Sequence, residues 1–232
     1  MKKTYLLISL LIFVSYNNLF SQKADTAAIN TDKKYNYNET ILMLVKQLCD
    51  TTTGNTLDGF KKLAYGFEQV TEISKDKWYP YYYEALCWTF ASSNVASKEV
   101  DQICDKADEL IKTAESLSPN NSEILCAKAL ILSSRIRVDI PSRGQKYSKE
   151  SNDLLYSAIK LDPNNPRAFY LLGKNKLVTP AFWGGGKENA KEYFIKAAKI
   201  YREKNESFDS IEPHWGIKPT MMILKSTYQI KM

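Results

Sequence analysis

A Pro-Asn-Asn triplet occurs twice in the chain, 44 residues apart, and each copy closes the same kind of segment. Ala114-Glu-Ser-Leu-Ser-Pro119-Asn120-Asn121 lines up with Ala158-Ile-Lys-Leu-Asp-Pro163-Asn164-Asn165. Ala107, Ile111 and Ala114 correspond to Ser151, Leu155 and Ala158, and again to Ala190, Phe194 and Ala197. Steps of three and four put each set on one helix face. A small residue lets two antiparallel helices approach closely, and a larger one fills the gap a turn later. Proline then stops the helix. A helical pair cannot cover its apolar face alone, so a chain that repeats this unit must stack its pairs.

The periodicity predicts four such pairs: Tyr37–Ile73, Trp78–Leu117, Glu123–Leu161 and Arg167–Tyr201. The third pair reads as Glu123–Val138, a break at Pro141–Gly144, and Ser148–Leu161. A short helical segment is expected after Pro219. No stretch alternates as a strand would. The fold class is therefore all-α, antiparallel helical pairs stacked as a short α-solenoid. The repeat domain spans 37–201, and 202–232 is a C-terminal capping segment with Trp215 covering the exposed end.

Residues 1–21 have the layout of a signal peptide: basic Lys2 and Lys3, an apolar run from Tyr5 to Val14, and small Ser21 before the cleavage point. The run is too short for a span of about 20 residues. Residues 22–36 are polar, aperiodic and read as a flexible tether. The protein is thus expected to be exported to the periplasm, the cell envelope or the medium, with no transmembrane span after processing. Its formal net charge of +6 falls to +4 without Lys2 and Lys3, too mild for a nucleic-acid binder. The four cysteines form no CxxC, and His214 is the only histidine, so no metal site is expected. Cys49, Cys87, Cys104 and Cys126 read as small buried hydrophobes. The alternative is one bridge, between Cys87 and Cys104.

Phe169, Leu172, Gly173, Ala190, Phe194 and Ala197 fall where the tetratricopeptide repeat family has an aromatic, a Leu-Gly pair and an Ala/aromatic/Ala set. The chain resembles that family, with units of 39–44 residues rather than the usual 34. The Phe182-Trp183-Gly184-Gly185-Gly186 insertion also resembles one in exported Bacteroidetes-type repeat proteins of unassigned function. The resemblance implies a non-catalytic protein-binding or scaffolding role. It puts Arg167, Tyr170 and Lys174 on the inner face, where they would meet a protein or peptide partner.

Two aromatic turns form a possible secondary surface: Phe182-Trp183 before three glycines, and His214-Trp215. The glycine run lacks the spacing of a phosphate loop, and its rings are expected to fold back and plug the helical pair. No partner that would make His214 a general base lies nearby in a motif. No catalytic residue and no cofactor is expected. The alternative reading is a small-molecule binder or enzyme using the turns near Trp183 and Trp215.

Overall fold

The computed structural model describes residues 36–50, 56–204 and 209–230. The expected signal peptide and all of the expected tether but Asn36 lie outside them. The described residues hold no strand. Helices run in the order α1 (Tyr37–Cys49), α2 (Leu57–Ile73), α3 (Trp78–Ser92), α4 (Ser97–Leu117), α5 (Ser122–Arg135), α6 (Ile140–Leu161), α7 (Pro166–Val178), α8 (Lys187–Lys204) and α9 (Ile217–Tyr228). Short 3₁₀ turns sit at Ile136–Val138 and Ala181–Trp183.

Each odd-numbered helix from α1 to α7 packs against the even one that follows, and each pair stacks on the next. Odd helices also touch one another, α1 to α3, α3 to α5 and α5 to α7, with no comparable contact between even ones. The odd helices therefore form the inner layer of a curved stack. The small positions of the repeat lie at the helix crossings: Ala107, Ala114, Ala158, Ala190 and Ala197 are fully buried. Gly173 lies under Phe194, whose ring carbon would sit 2.9 Å from an added Cβ. That close approach is the reason for the glycine of the Leu-Gly pair.

The second Asn of each triplet starts the next helix. Asn121 Oδ1 accepts the Glu123 amide at 2.9 Å, and Asn165 Oδ1 accepts the Arg167 amide at 2.9 Å. Such caps satisfy amides that have no partner inside the helix.

Pro141 is not a break. It occupies the first turn of α6, after Asp139 as N-cap, where its missing N–H costs nothing. Pro219 likewise lies inside the first turn of α9. The glycine turn also differs from expectation. Phe182 and Trp183 do not plug the helical pair; they are 78% and 62% exposed. None of the four cysteines is in a disulfide; Cys87, Cys104 and Cys126 are buried thiols. Burial pushes the thiol pKa up, to about 11 for Cys104. No helix among the described residues is long and apolar enough to cross a membrane.

Candidate functional site

The inner face is covered by the chain's own C-terminal segment. After α8 the chain returns across the odd helices and inserts Trp215 between α3 and α7. Its ring meets Phe90 edge-on at 6.1 Å and Tyr170 at 6.4 Å between centroids. Trp215 was expected at the exposed end of the stack; its flat ring and single donor suit the inner layer better. The indole Nε1 donates to Tyr82 Oη at 2.8 Å, and Tyr82 donates to Glu123 Oε2 at 3.0 Å. Glu123 in turn holds Arg167 Nε at 2.7 Å. Tyr83 Oη donates to the Ile211 carbonyl at 2.7 Å, and Tyr201 Oη to the Trp215 carbonyl at 3.0 Å. Every polar group in this chain of bonds is matched, as burial requires.

Gly216 makes the return possible. Its φ of 95° is a left-handed conformation, and an added Cβ would lie 2.3 Å from Tyr201 Oη. Only glycine meets both conditions without strain. Gly216 is the N-cap of α9, and its carbonyl accepts both the Thr220 amide at 3.1 Å and Thr220 Oγ1 at 2.6 Å.

Between this segment and the odd helices lies a cavity of about 280 Å³. Its wall is largely aromatic and aliphatic: Leu48, Phe60, Phe90, Leu130, Tyr170, Trp215 and Met222. Lys174 and Lys218 bring two cations to it, and Cys49 and His214 complete the polar lining. Lys218 Nζ donates to the Cys49 carbonyl at 3.2 Å, tying α9 to the end of α1. Lys174 has no carboxylate partner among the described residues. Its ammonium lies 5.6 Å from the Tyr170 ring centre. It reaches solvent through the mouth, yet the crowding of protein around it holds its pKa below the ordinary lysine range.

The expected inner-face trio therefore divides. Tyr170 and Lys174 line the cavity. Arg167 is 3% exposed and committed to Glu123, so it holds the inner layer together. His214 and Trp215 belong to the same cavity, with His214 Nε2 at 2.9 Å from the Ser210 carbonyl. Phe182 and Trp183 lie outside its lining. Phe90, Leu130, Lys218 and Met222 were missed. A signal for the first two exists: Phe90, Leu130 and Tyr170 recur every 40 residues, whereas α3, α5 and α7 begin every 44. Each step thus moves the lining one turn toward the helix start, tracing a diagonal across the inner layer.

No family model matches the chain, and no curated protein sequence does. Among solved structures, the HusA haemophore from Porphyromonas gingivalis is similar, with a TM-score of 0.75 and 28% sequence identity. The match covers 86% of this chain and 98% of that one. This overturns the resemblance to the tetratricopeptide family and the keywords drawn from it. The stacked helical pairs are present, but the chain-wide likeness is to a haemophore. It equally overturns the expected protein or peptide partner and scaffolding role, since the similar protein is a haemophore. The physical reason is that the groove such a partner would enter is occupied by the segment from Asp209 onward, leaving a smaller cavity with an open mouth. The comparison supports a non-catalytic role and an exported protein, extracellular or at the cell envelope.

Proposed function

We propose that this protein binds haem, or a porphyrin of the same shape and charge, in the cavity under Trp215. The observation that carries the reading is the aromatic-walled cavity itself, with Lys174 exposed at its mouth and without a carboxylate partner among the described residues. Haem supplies both halves of the match: a flat apolar ring for Phe90, Tyr170 and Trp215, and two carboxylates for Lys174 and Lys218. The likeness to a haemophore supports the same reading. A volume of about 280 Å³ is near the lower end for small-ligand pockets. A ring of haem's size would be enclosed only in part, with Lys174 and Lys218 within reach of its carboxylates. Cys49, Tyr170, His214 and Met222 are residue types that ligate haem iron, but the reading rests on the ring and the carboxylates.

Titration with haemin, followed by the Soret band and tryptophan quenching, tests this. Saturable binding at one equivalent is expected. Tyr170→Ala removes an aromatic anchor and weakens it by about 2 kcal/mol. Lys174→Gln weakens haemin binding more than binding of haemin dimethyl ester, which has no carboxylate to pair. The absence of a saturable Soret shift, or Tyr170→Ala and Phe90→Ala variants that bind as the wild type does, would overturn the assignment.

A further inference from the structure

We propose that the Phe182-Trp183 turn docks the protein on an anionic lipid surface, independently of the ligand cavity. The turn joins α7 to α8. Val178, at the end of α7, is 80% exposed, and Phe182 and Trp183 follow within five residues. Large apolar side chains grouped in this way on a surface mark a contact site.

The turn is not loosely held. The Trp183 and Gly185 amides donate to the Pro180 carbonyl at 3.0 and 3.2 Å, and the Gly186 amide to the Lys176 carbonyl at 2.8 Å. Asn189 Nδ2 donates to the Gly185 carbonyl at 2.8 Å. Gly185 has no room for a side chain, since a Cβ would lie 2.1 Å from the Thr179 carbonyl oxygen. The backbone therefore presents the two rings, 4.6 Å apart, toward solvent as a fixed feature.

Charge identifies the occupant. The turn from 179 to 187 holds no acid, and Lys176 and Lys187 flank it, with Glu188 next in the chain. Lys176 Nζ donates to the Gly184 carbonyl at 3.0 Å, which puts a cation at the base of the tip. An indole and a phenyl ring flanked by ammonium groups match the boundary between headgroups and acyl chains. The rings settle in that layer, and the ammonium groups pair with lipid phosphates. Three apolar side chains fall far short of the roughly 20–30 residues per side of a standard protein interface, which favours a lipid surface over a protein.

Co-sedimentation of the chain from Gln22 onward with vesicles tests the proposal. Vesicles of phosphatidylcholine with one third phosphatidylglycerol should pellet about fivefold more protein than phosphatidylcholine alone, and raised salt should reduce the difference. F182S/W183S should abolish pelleting while leaving haemin binding and far-ultraviolet circular dichroism unchanged. K187E should weaken pelleting without touching the rings. Failure of the wild type to pellet with anionic vesicles, or equal pelleting of F182S/W183S, overturns the proposal. So does a receptor protein that needs the turn while vesicles do not bind. Haemin binding is read separately, so loss of one result leaves the other standing.

Discussion

Gly216 is the residue on which the return of the chain turns. Alanine there must adopt a φ of 95° and crowd Tyr201 Oη. Gly216→Ala should lower stability by about 2 kcal/mol or more, read as a fall in the urea midpoint, and should weaken haemin binding because Gly216 lines the cavity. A second residue sets a pH dependence. Glu84 is 1% exposed, accepts the Trp88 indole at 3.2 Å and lies 3.9 Å from Lys106. Burial raises its carboxyl from 4.5 to about 7. Between those values the folded chain holds a proton that the unfolded chain has lost. The Glu84 contribution is therefore full below pH 4.5 and is lost as pH rises toward 7. Glu84→Gln keeps the acceptor for Trp88 and removes the titration. Its stability should exceed the wild type's at pH 8 by up to about 3 kcal/mol, with a flatter profile from pH 5 to 7. Residue by residue, the helical periodicity put Tyr170 and Lys174, four residues apart, on one side of α7, where both line the cavity. It did not reveal that Glu123 claims Arg167, because which groups a buried cation meets is decided by the packing of two helices.

At the scale of elements, the Pro-Asn-Asn triplet is a joint as well as a stop. Asn165 is fully buried. It caps α7 through Oδ1 and donates through Nδ2 to Ser122 Oγ at 2.9 Å, while Ser122 donates to the Ala158 carbonyl at 2.9 Å. One side chain thus links α5, α6 and α7. Asn165→Ala removes the cap and leaves a buried hydroxyl short of a partner, so a loss of about 2–3 kcal/mol in denaturant unfolding is expected. Asn121→Ala, at a half-buried cap with fewer ties, should cost less. Helix existence and order were legible because small, large and small positions recur at fixed steps. Helix starts were less legible at Pro141 and Pro219, since a proline reads alike as a stop or as a first turn until its cap is seen. The exposed Phe182-Trp183 turn was misread for a related reason: apolarity predicts burial, and only the backbone bonds of the glycine run hold those rings outward.

In the whole molecule, the inner layer and the segment from Asp209 onward complete each other. Ending the chain at Lys204 should leave Tyr82, Phe90 and Tyr170 uncovered, remove Trp215 and Lys218 from the cavity, and abolish haemin binding. Retained affinity in that truncated chain would place the ligand elsewhere. The sequence indicated stacked pairs but not this closure, because residues 202–232 carry no copy of the repeat from which their path could be inferred. The wall of the cavity draws Leu48 and Cys49 from α1, Phe60 from α2, one residue each from α3 and α5, two from α7, and the rest from the last part of the chain. A polypeptide that crosses a membrane from its N-terminus thus has no finished receptacle until its final helix has emerged. Under the proposed function, haem is therefore not taken up during transit from the compartment of synthesis, and loading begins only where the completed chain is delivered.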